Sequence, residues 1–184
     1  LVEPHVPQLS GFFTIPAHEI QTSHLVAQHL KSKGLQQVTM VSPDAGGMKR
    51  AEAAKPMPEC SMAVIDKKRT SDNEVVIGQL LGDVSGKDCV IVDDVVGTGE
   101  TLLKASQLLK QNGAQSVRAY VTHLVMPDPK HINLTNSALD DLVVFDTIYH
   151  DNQRFEQISV QNEIAAIITR LIGEKHNVKR GETE

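Results

Sequence analysis

Two adjacent carboxylates followed by a turn of small residues could carry chemistry in this sequence. Asp93 and Asp94 follow the apolar run 89–92, and two valines separate them from the turn. The turn consists of Gly97, Thr98, Gly99, Glu100 and Thr101, and a leucine-patterned helical segment follows it. Glycine permits dihedrals closed to other residues, threonine adds hydroxyl donors, and a helix N-terminus offers unpaired N–H groups to an anion. The turn suits a phosphate monoester, and the acids suit vicinal hydroxyls or a divalent cation, so a phosphorylated sugar would satisfy both.

Other interpretations of this turn fit less well. The sequence contains no G-x-x-x-x-G-K-[ST] phosphate loop, and the residue three after Gly99 is Leu102, which a dinucleotide-binding fingerprint would not have. The remaining alternative is an ordinary helix capped by Thr98, with surface acids before it. An ordinary cap, however, does not require two acids at the mouth of a buried strand.

The elements that must position these residues alternate between strand and helix patterns. We predict strands at 38–41, 61–65, 75–81, 90–92, 116–123, 142–145 and 158–160, and helices at 22–33, 48–54, 102–112 and 162–172. This alternation predicts an α/β fold with a doubly wound parallel sheet. A second strand-to-helix turn, at 42–47, is expected beside the first. Residues 66–74 are polar without an apolar period, which predicts a mobile loop.

Composition narrows the class of protein. The chain has 184 residues, a formal charge of −5 and a pI near 5.9, which indicates one domain and argues against nucleic acid or anionic membrane as a partner. No apolar run approaches the ~20 residues that span a bilayer, and the first residues lack a signal-peptide pattern. Cys60 and Cys89 form no C-x-x-C pair, as expected for reduced thiols of a cytoplasmic protein.

The motif D-D-x-x-x-T-G-x-T at 93–101 resembles the loop shared by type I phosphoribosyltransferases and ribose-phosphate pyrophosphokinases. Three other segments resemble the pyrophosphokinases alone: G-F-F-T-I-P at 11–16, V-S-P-D-A-G-G-M-K-R-A at 41–51, and K-K-R with N-E-V at 67–75. The resemblance extends from Gly11 to the final helix and corresponds to the carboxyl-terminal domain of that family. It implies a type I phosphoribosyltransferase-like fold.

The resemblance also implies an activity and roles for particular residues. The family transfers the diphosphoryl group of Mg-ATP to the anomeric hydroxyl of ribose 5-phosphate, giving phosphoribosyl pyrophosphate and AMP. The implied ribose 5-phosphate site comprises Asp93, Asp94, Gly97, Thr98, Gly99, Glu100 and Thr101. Asp44 is expected to help hold Mg²⁺, and Lys67 and Arg69 are expected to be catalytic, as cations over the ATP phosphates.

The resemblance further implies how the chain is organised. Residues 1–10 are expected to be a linker from a preceding, absent domain, 11–173 the phosphoribosyltransferase-like domain, and 174–184 a polar tail. Besides its two substrates, the expected partners are its own amino-terminal domain and neighbouring subunits of a homo-oligomer. Gly97 and Glu100 depart from the family, which often has an acid or serine at the first position and a small residue at the second. These departures keep a non-catalytic regulatory subunit as one alternative. The short length of the chain keeps a type I phosphoribosyltransferase as another, although the segments at 41–51 and 67–75 oppose it.

Overall fold

The strand patterns of the sequence assemble into one sheet. The computed structural model describes residues 1–35, 37–69, 75–126, 137–150 and 155–181, with the backbone alone at 67–69, 75–77 and 174–181. In these ranges the strands are β1 (Val38–Ser42), β2 (Ser61–Arg69), β3 (Val75–Leu81), β4 (Asp88–Val96), β5 (Ser116–Leu124), β6 (Asp141–Phe145) and β7 (Glu156–Ile158). The helices are α1 (Ser23–Ser32), α2 (Met48–Ala53), α3 (Glu100–Gln111) and α4 (Gln161–Gly181), and a 3₁₀ helix spans Pro7–Phe12.

The strand order identifies where a ligand site belongs. The sheet runs β3-β2-β1-β4-β5-β6-β7, and every neighbouring pair is parallel except the antiparallel pair β2 and β3. From the adjacent strands β1 and β4 the chain winds outward in opposite directions, so the loops that follow them diverge and leave a crevice. The predicted doubly wound α/β sheet is confirmed, and its switch point lies between the two predicted turns.

Apolar side chains cover both faces of the central strand. Ile91 belongs to a core cluster with Leu102 and Leu109 of α3, whereas Val90 belongs to the opposite cluster, with Leu30 of α1. Successive side chains of a strand point to opposite faces, and residues 89–92 of β4 are all apolar because both faces of this part of the strand are buried. This packing fixes the end of β4, and with it the position of the acidic pair.

Three elements extend further than the sequence patterns predict. The acidic pair lies within β4, which continues to Val96 instead of ending before Asp93. The loop prediction for 66–74 is wrong for 66–69, which continue β2 and pair with β3, while 70–74 lie outside the described residues. Helix α4 runs to Gly181, into the segment expected to be a polar tail. Among the helices described, none combines the length and apolarity needed to cross a membrane.

Candidate functional site

A cavity of about 420 Å³ opens at the carboxyl edge of the sheet, at the crevice between β1 and β4. Its walls come from the two strand-to-helix turns and from the beginning of the chain. The lining residues are His5, Asp44, Gly46, Gly47, Arg50, Asp93, Asp94, Val95, Val96, Gly97, Thr98, Gly99 and Thr101. The structure therefore brings together seven of the residues that the sequence predicted for the site: the two acids, four members of the 97–101 turn, and Asp44.

One wall is the turn between β4 and α3. Gly99 adopts a left-handed backbone conformation with φ 79°, and its carbonyl accepts the N–H of Leu103 at 2.9 Å, the first bond of α3. The Thr98 hydroxyl accepts the N–H of Glu100 at 3.4 Å. The chain thus turns sharply and aims the helix N-terminus towards the cavity, where unpaired N–H groups and the helix dipole favour an anion.

Glu100 is the member of the turn whose side chain lies outside the cavity. The residue is absent from the cavity wall, and its carboxylate is 75 % exposed and 4.0 Å from the ammonium of Lys104. An acid in the first turn of a helix interacts favourably with the helix dipole without entering the cavity. The negative charge that the sequence places in this turn consequently points away from the space available to a phosphate.

The two adjacent acids have different environments because they occupy consecutive positions of one strand. Asp94 is buried, and its Oδ2 accepts hydrogen bonds at 2.8 Å from Nη2 of Arg50 and from Nδ1 of His5, while its Oδ1 accepts the N–H of Val95 at 2.8 Å. Asp93 is half-buried, and its Oδ1 accepts the N–H of Asp94 at 3.0 Å. Asp94 is thus held by the protein, and Asp93 presents the more accessible carboxylate to the cavity.

The pKa of Asp94 reflects these partners. Burial raises it, since a charged carboxylate loses hydration, but the hydrogen bond from His5, the positive charge of Arg50 and the Val95 N–H together lower it below the ordinary value. The net direction is downward. Asp94 therefore remains ionised inside the protein and keeps its pair with Arg50.

The beginning of the chain contributes a part of the site that the sequence did not predict. Glu3 is 3 % exposed and adopts a positive φ of 38°, unusual for a residue with a side chain. Val2 forms a parallel bridge with Ile20, and this fixes the segment so that His5 reaches Asp94. His5 lies between two prolines without any apolar period, so no local pattern of the sequence indicated it.

The turn after β1 lines another part of the cavity. Asp44 Oδ1 accepts the N–H of Gly47 at 3.0 Å, and the Ser42 hydroxyl donates to the Asp44 carbonyl at 2.5 Å. A Cβ on Gly47 would lie 2.8 Å from Ser42 Oγ, so the absence of a side chain there permits this compact turn.

Within the described ranges no three His, Cys, Asp or Glu residues form a ready-made metal cluster. Mg²⁺, however, is commonly held by one or two carboxylates together with water and substrate phosphates, and Asp44 and Asp93 provide such oxygens.

Lys67 and Arg69 occupy the end of β2, and their side chains lie outside what the structure describes. The register gives the position of their backbone: Ser42, the last residue of β1, pairs with Val64, whereas β2 continues to Arg69. Five further strand residues extend about 16 Å. β2 therefore projects beyond the carboxyl end of β1, on the edge of the sheet that carries the cavity.

These features define a domain of the phosphoribosyltransferase class: a doubly wound sheet whose switch point carries an acidic pair and a phosphate-type turn. Residues 9–157 match the profile of the phosphoribosyl transferase domain family, and the chain belongs to that family. Within it, the chain is similar to ribose-phosphate pyrophosphokinases. It is 41 % identical to the one from Marinomonas sp. (strain MWYL1) over 180 residues, which covers 95 % of this chain and 57 % of that relative.

Two further comparisons give the same similarity to ribose-phosphate pyrophosphokinases. The ribose-phosphate pyrophosphokinase of Xylella fastidiosa (strain Temecula1 / ATCC 700964) is 40 % identical, over 92 % of this chain and 55 % of its own length. The crystal structure of phosphoribosylpyrophosphate synthetase from Mycobacterium smegmatis superimposes with a TM-score of 0.80 at 27 % identity, over 94 % of this chain and 58 % of that one. The predicted resemblance and the type I phosphoribosyltransferase-like fold are confirmed. The chain spans a little over half the length of these relatives.

Proposed function

We propose that this chain provides the ribose 5-phosphate site of a ribose-phosphate diphosphokinase, which transfers the diphosphoryl group of Mg-ATP to the anomeric hydroxyl. The observation that carries the proposal is the division of the cavity into two chemically different walls. One wall has the carboxylate of Asp93, and the other has the turn of Gly97, Thr98, Gly99 and Thr101 at the N-terminus of α3. The names of the relatives support the same reaction.

The two walls assign an orientation to the sugar. A phosphate binds at the turn because N–H groups, hydroxyls and the helix dipole all favour an anion there. The ribose then lies towards β4, where the Asp93 carboxylate can accept hydrogen bonds from the 2- and 3-hydroxyls. The Asp94 carboxylate supports this wall through its bonds to Arg50 and His5. The Glu100 side chain takes no part, since its carboxylate lies outside the cavity.

The donor set of the cavity fits a magnesium ion that arrives with ATP. Asp44 and Asp93 would hold it through carboxylate oxygens, with the remaining ligands supplied by water and phosphate. When bound, the metal neutralises charge on the phosphates. The residues of this chain would fix the distance between the ATP phosphates and the sugar, which is the part of phosphoryl transfer that a protein controls most directly.

In the proposed reaction the anomeric oxygen attacks the β-phosphorus of ATP. The bond between the β-phosphorus and the oxygen bridging to the α-phosphate breaks, AMP departs with that oxygen, and the hydroxyl proton is lost to solvent or a base. Lys67 and Arg69 would stabilise the negative charge that moves onto the leaving AMP. The extension of β2 beyond the end of β1, on the edge of the sheet that carries the cavity, supports this role.

Two alternatives predict different behaviour. A regulatory subunit would bind without turnover, and the departures at Gly97 and Glu100 were its support in the sequence. That support is weak, because Glu100 faces Lys104 and an added Cβ at Gly97 would meet no atom within 4 Å. A phosphoribosyltransferase would instead consume phosphoribosyl pyrophosphate with a nucleobase. The similarity to pyrophosphokinases along 92 to 95 % of the chain favours synthesis over consumption.

A phosphorus NMR assay tests the proposed reaction on the natural polypeptide that contains these 184 residues. With ribose 5-phosphate, ATP and Mg²⁺, we expect AMP and phosphoribosyl pyrophosphate to form together and in equal amounts. Intact ATP in the presence of bound ribose 5-phosphate would contradict catalysis and favour the regulatory subunit. Pyrophosphate release from phosphoribosyl pyrophosphate and a nucleobase would favour the transferase.

Sedimentation of the same sample tests the proposed homo-oligomer, and fractionation of its source cells tests the proposed cytoplasmic location.

A further inference from the structure

Arg50 joins two buried carboxylates that come from distant parts of the chain. Its Nη2 donates to Oδ2 of Asp94 at 2.8 Å, and its Nε donates to Oε1 of Glu3 at 3.1 Å. The side chains of Glu3 and Asp94 are only 4 % and 6 % exposed. A guanidinium group is planar and presents several N–H donors at fixed angles, so one acceptor sets the direction in which the others point.

Glu3, at one end of the connection from Glu3 through Arg50 to Asp94, is held by residues outside the cavity. Glu3 Oε2 accepts the Thr22 N–H at 2.7 Å and the Thr22 hydroxyl at 3.1 Å, and that hydroxyl lies 2.9 Å from the hydroxyl of Thr122 on β5. The carbonyls of Val2 and Glu3 lie 3.1 and 3.2 Å from Nε2 of His123, also on β5. Glu3 does not line the cavity, yet it is fixed to the sheet more firmly than a surface residue would be.

Removal of the Glu3 carboxylate is expected to change the position or the hydrogen bonds of the Asp94 carboxylate. Glu3 and Asp94 share one guanidinium, and a buried charge that loses a partner is strongly destabilised. Without the Glu3 carboxylate, Arg50 loses the acceptor that orients its Nε edge and can rotate. The Asp94 carboxylate, which also accepts the Val95 N–H at 2.8 Å, must then move or lose its bond to Arg50. Val95 belongs to the cavity wall, so the effect reaches the ligand site.

We propose that Glu3 is a positioning residue for the sugar-binding wall, acting through Arg50 on Asp94. This inference rests on the proposed function, because the wall it positions is the one assigned to ribose. Glu3 touches no substrate in this arrangement. Its contribution is to fix the rotamer of Arg50, which in turn fixes the acidic end of β4 relative to the phosphate-binding turn.

Two backbone amides provide a test that separates positioning from simple tethering. In proton–nitrogen NMR spectra of the 184-residue chain, Glu3→Gln is expected to shift the Thr22 amide, because that N–H donates directly to Glu3. If Glu3 acts through Arg50, the Val95 amide shifts as well. Asp88→Asn is the matched control, since Asp88 lies near Arg118 at the amino end of β4, away from the cavity, and it should leave both amides unmoved.

A titration with ribose 5-phosphate measures the consequence for binding. We expect Glu3→Gln to weaken the Kd about tenfold, which corresponds to about 1.4 kcal/mol. Glu3→Asp keeps the charge but shortens the side chain by one methylene. It should therefore move the Val95 amide in the same direction by a smaller amount and recover part of the affinity. This variant decides the question if Glu3→Gln does not fold.

The outcomes distinguish this inference from the proposed function. A Val95 amide that stays in place while the Thr22 amide moves would mean that Glu3 only tethers the beginning of the chain, and would overturn the inference. Unchanged affinity in a folded Glu3→Gln chain would overturn it too. If the wild-type chain does not bind ribose 5-phosphate, the proposed function fails, whereas the shift of Val95 still decides whether Glu3 positions Asp94.

Discussion

Nδ1 of His5 lies 2.8 Å from Oδ2 of Asp94, although 89 positions of sequence separate the two residues. The Asp94 carboxylate is almost completely buried, whereas the His5 ring is 74 % exposed. A group near the beginning of the chain therefore reaches the acidic pair from the solvent side. The Asp94 carboxylate has two side-chain partners: Arg50 is half-buried, whereas His5 is exposed and can be removed without opening the core.

The His5 contact predicts a change in acid stability. The pKa of Asp94 is lowered on balance, because the His5 hydrogen bond and the Arg50 charge outweigh the opposing effect of burial. A lowered carboxyl pKa contributes stability that is present above the unfolded-state value, about 3.9, and is lost as the pH falls through the folded-state value. His5→Asn should raise the Asp94 pKa, so that circular dichroism records acid unfolding at a higher pH than in wild type.

A matched histidine provides the control for that experiment. His24 lies 3.2 Å from Glu163 in a largely exposed pair between α1 and α4, remote from the cavity. Exposed ion pairs contribute about 0–1 kcal/mol, so His24→Asn should leave the acid midpoint close to wild type. Equal midpoints for His5→Asn and wild type would show that Asp94 does not depend on His5.

The two glycines of the phosphate-type turn should respond differently to alanine. Gly99 has φ 79°, a conformation that costs a residue with a Cβ about 1–2 kcal/mol, whereas Gly97 has no positive φ and open space around it. We expect Gly99→Ala to lower the unfolding free energy by about that amount and to weaken ribose 5-phosphate binding. Gly97→Ala should change stability by less than about 0.5 kcal/mol. Urea denaturation measures both variants, and an equal loss in the two would contradict the turn geometry.

Thr101 and Glu100 are neighbours in sequence but should differ in their effect on binding. Thr101 lines the cavity, and Thr101→Val removes a hydroxyl without changing the shape of the side chain. A hydrogen bond to a charged group contributes about 1.5–3 kcal/mol, so the Kd for ribose 5-phosphate should weaken at least tenfold. Glu100→Gln should leave the Kd nearly unchanged, because the carboxylate pairs with Lys104 outside the cavity. Calorimetry with a large effect of Glu100→Gln would show that this side chain enters the site.

In the compact turn after β1, a side chain at position 47 should clash with Ser42, and a second substitution at Ser42 should restore stability. In Gly47→Ala the new Cβ would lie 2.8 Å from Ser42 Oγ, and relief of the clash should break the bond from that hydroxyl to the Asp44 carbonyl. Overpacking of this kind costs about 1–3 kcal/mol. We expect lower thermal stability and weaker Mg-ATP binding. Adding Ser42→Ala removes the colliding atom and should restore most of the stability, and a double variant as unstable as Gly47→Ala would contradict this explanation.

Local patterns predicted the parts of the fold that depend on neighbours in sequence. The apolar run before Asp93 and the glycines after it were sufficient to place a strand, a turn and a helix, because each is determined by side-chain periodicity and by backbone freedom. The second turn, around Asp44, was predicted for the same reason. Parallel strands place such turns at one edge, and this brought Asp44 and the 97–101 turn into one cavity.

The features that sequence patterns missed depend on contacts between distant segments. Residues 66–69 read as a solvated loop because they are polar, but their pairing with β3 supplies backbone hydrogen bonds that do not require apolar side chains. The connection from Glu3 through Arg50 to Asp94 joins residues 47 and 44 positions apart in sequence, so no local signal marks it. Glu100 looked like part of the anion site, and only the direction of the first helical turn reveals that its side chain leaves it.

Titration calorimetry of ribose 5-phosphate into the wild-type chain and into Asp93→Asn tests the central claim most directly. Asp93 is the better choice for substitution, because Asp94 is itself buried and paired with Arg50, so that its removal would disturb the fold. Asp88→Asn, at the opposite end of β4, is the control. We predict one binding site per chain in wild type and in Asp88→Asn, and a Kd at least tenfold weaker in Asp93→Asn. A folded wild-type chain that does not bind ribose 5-phosphate, or equal binding by Asp93→Asn, would contradict the assignment of this cavity.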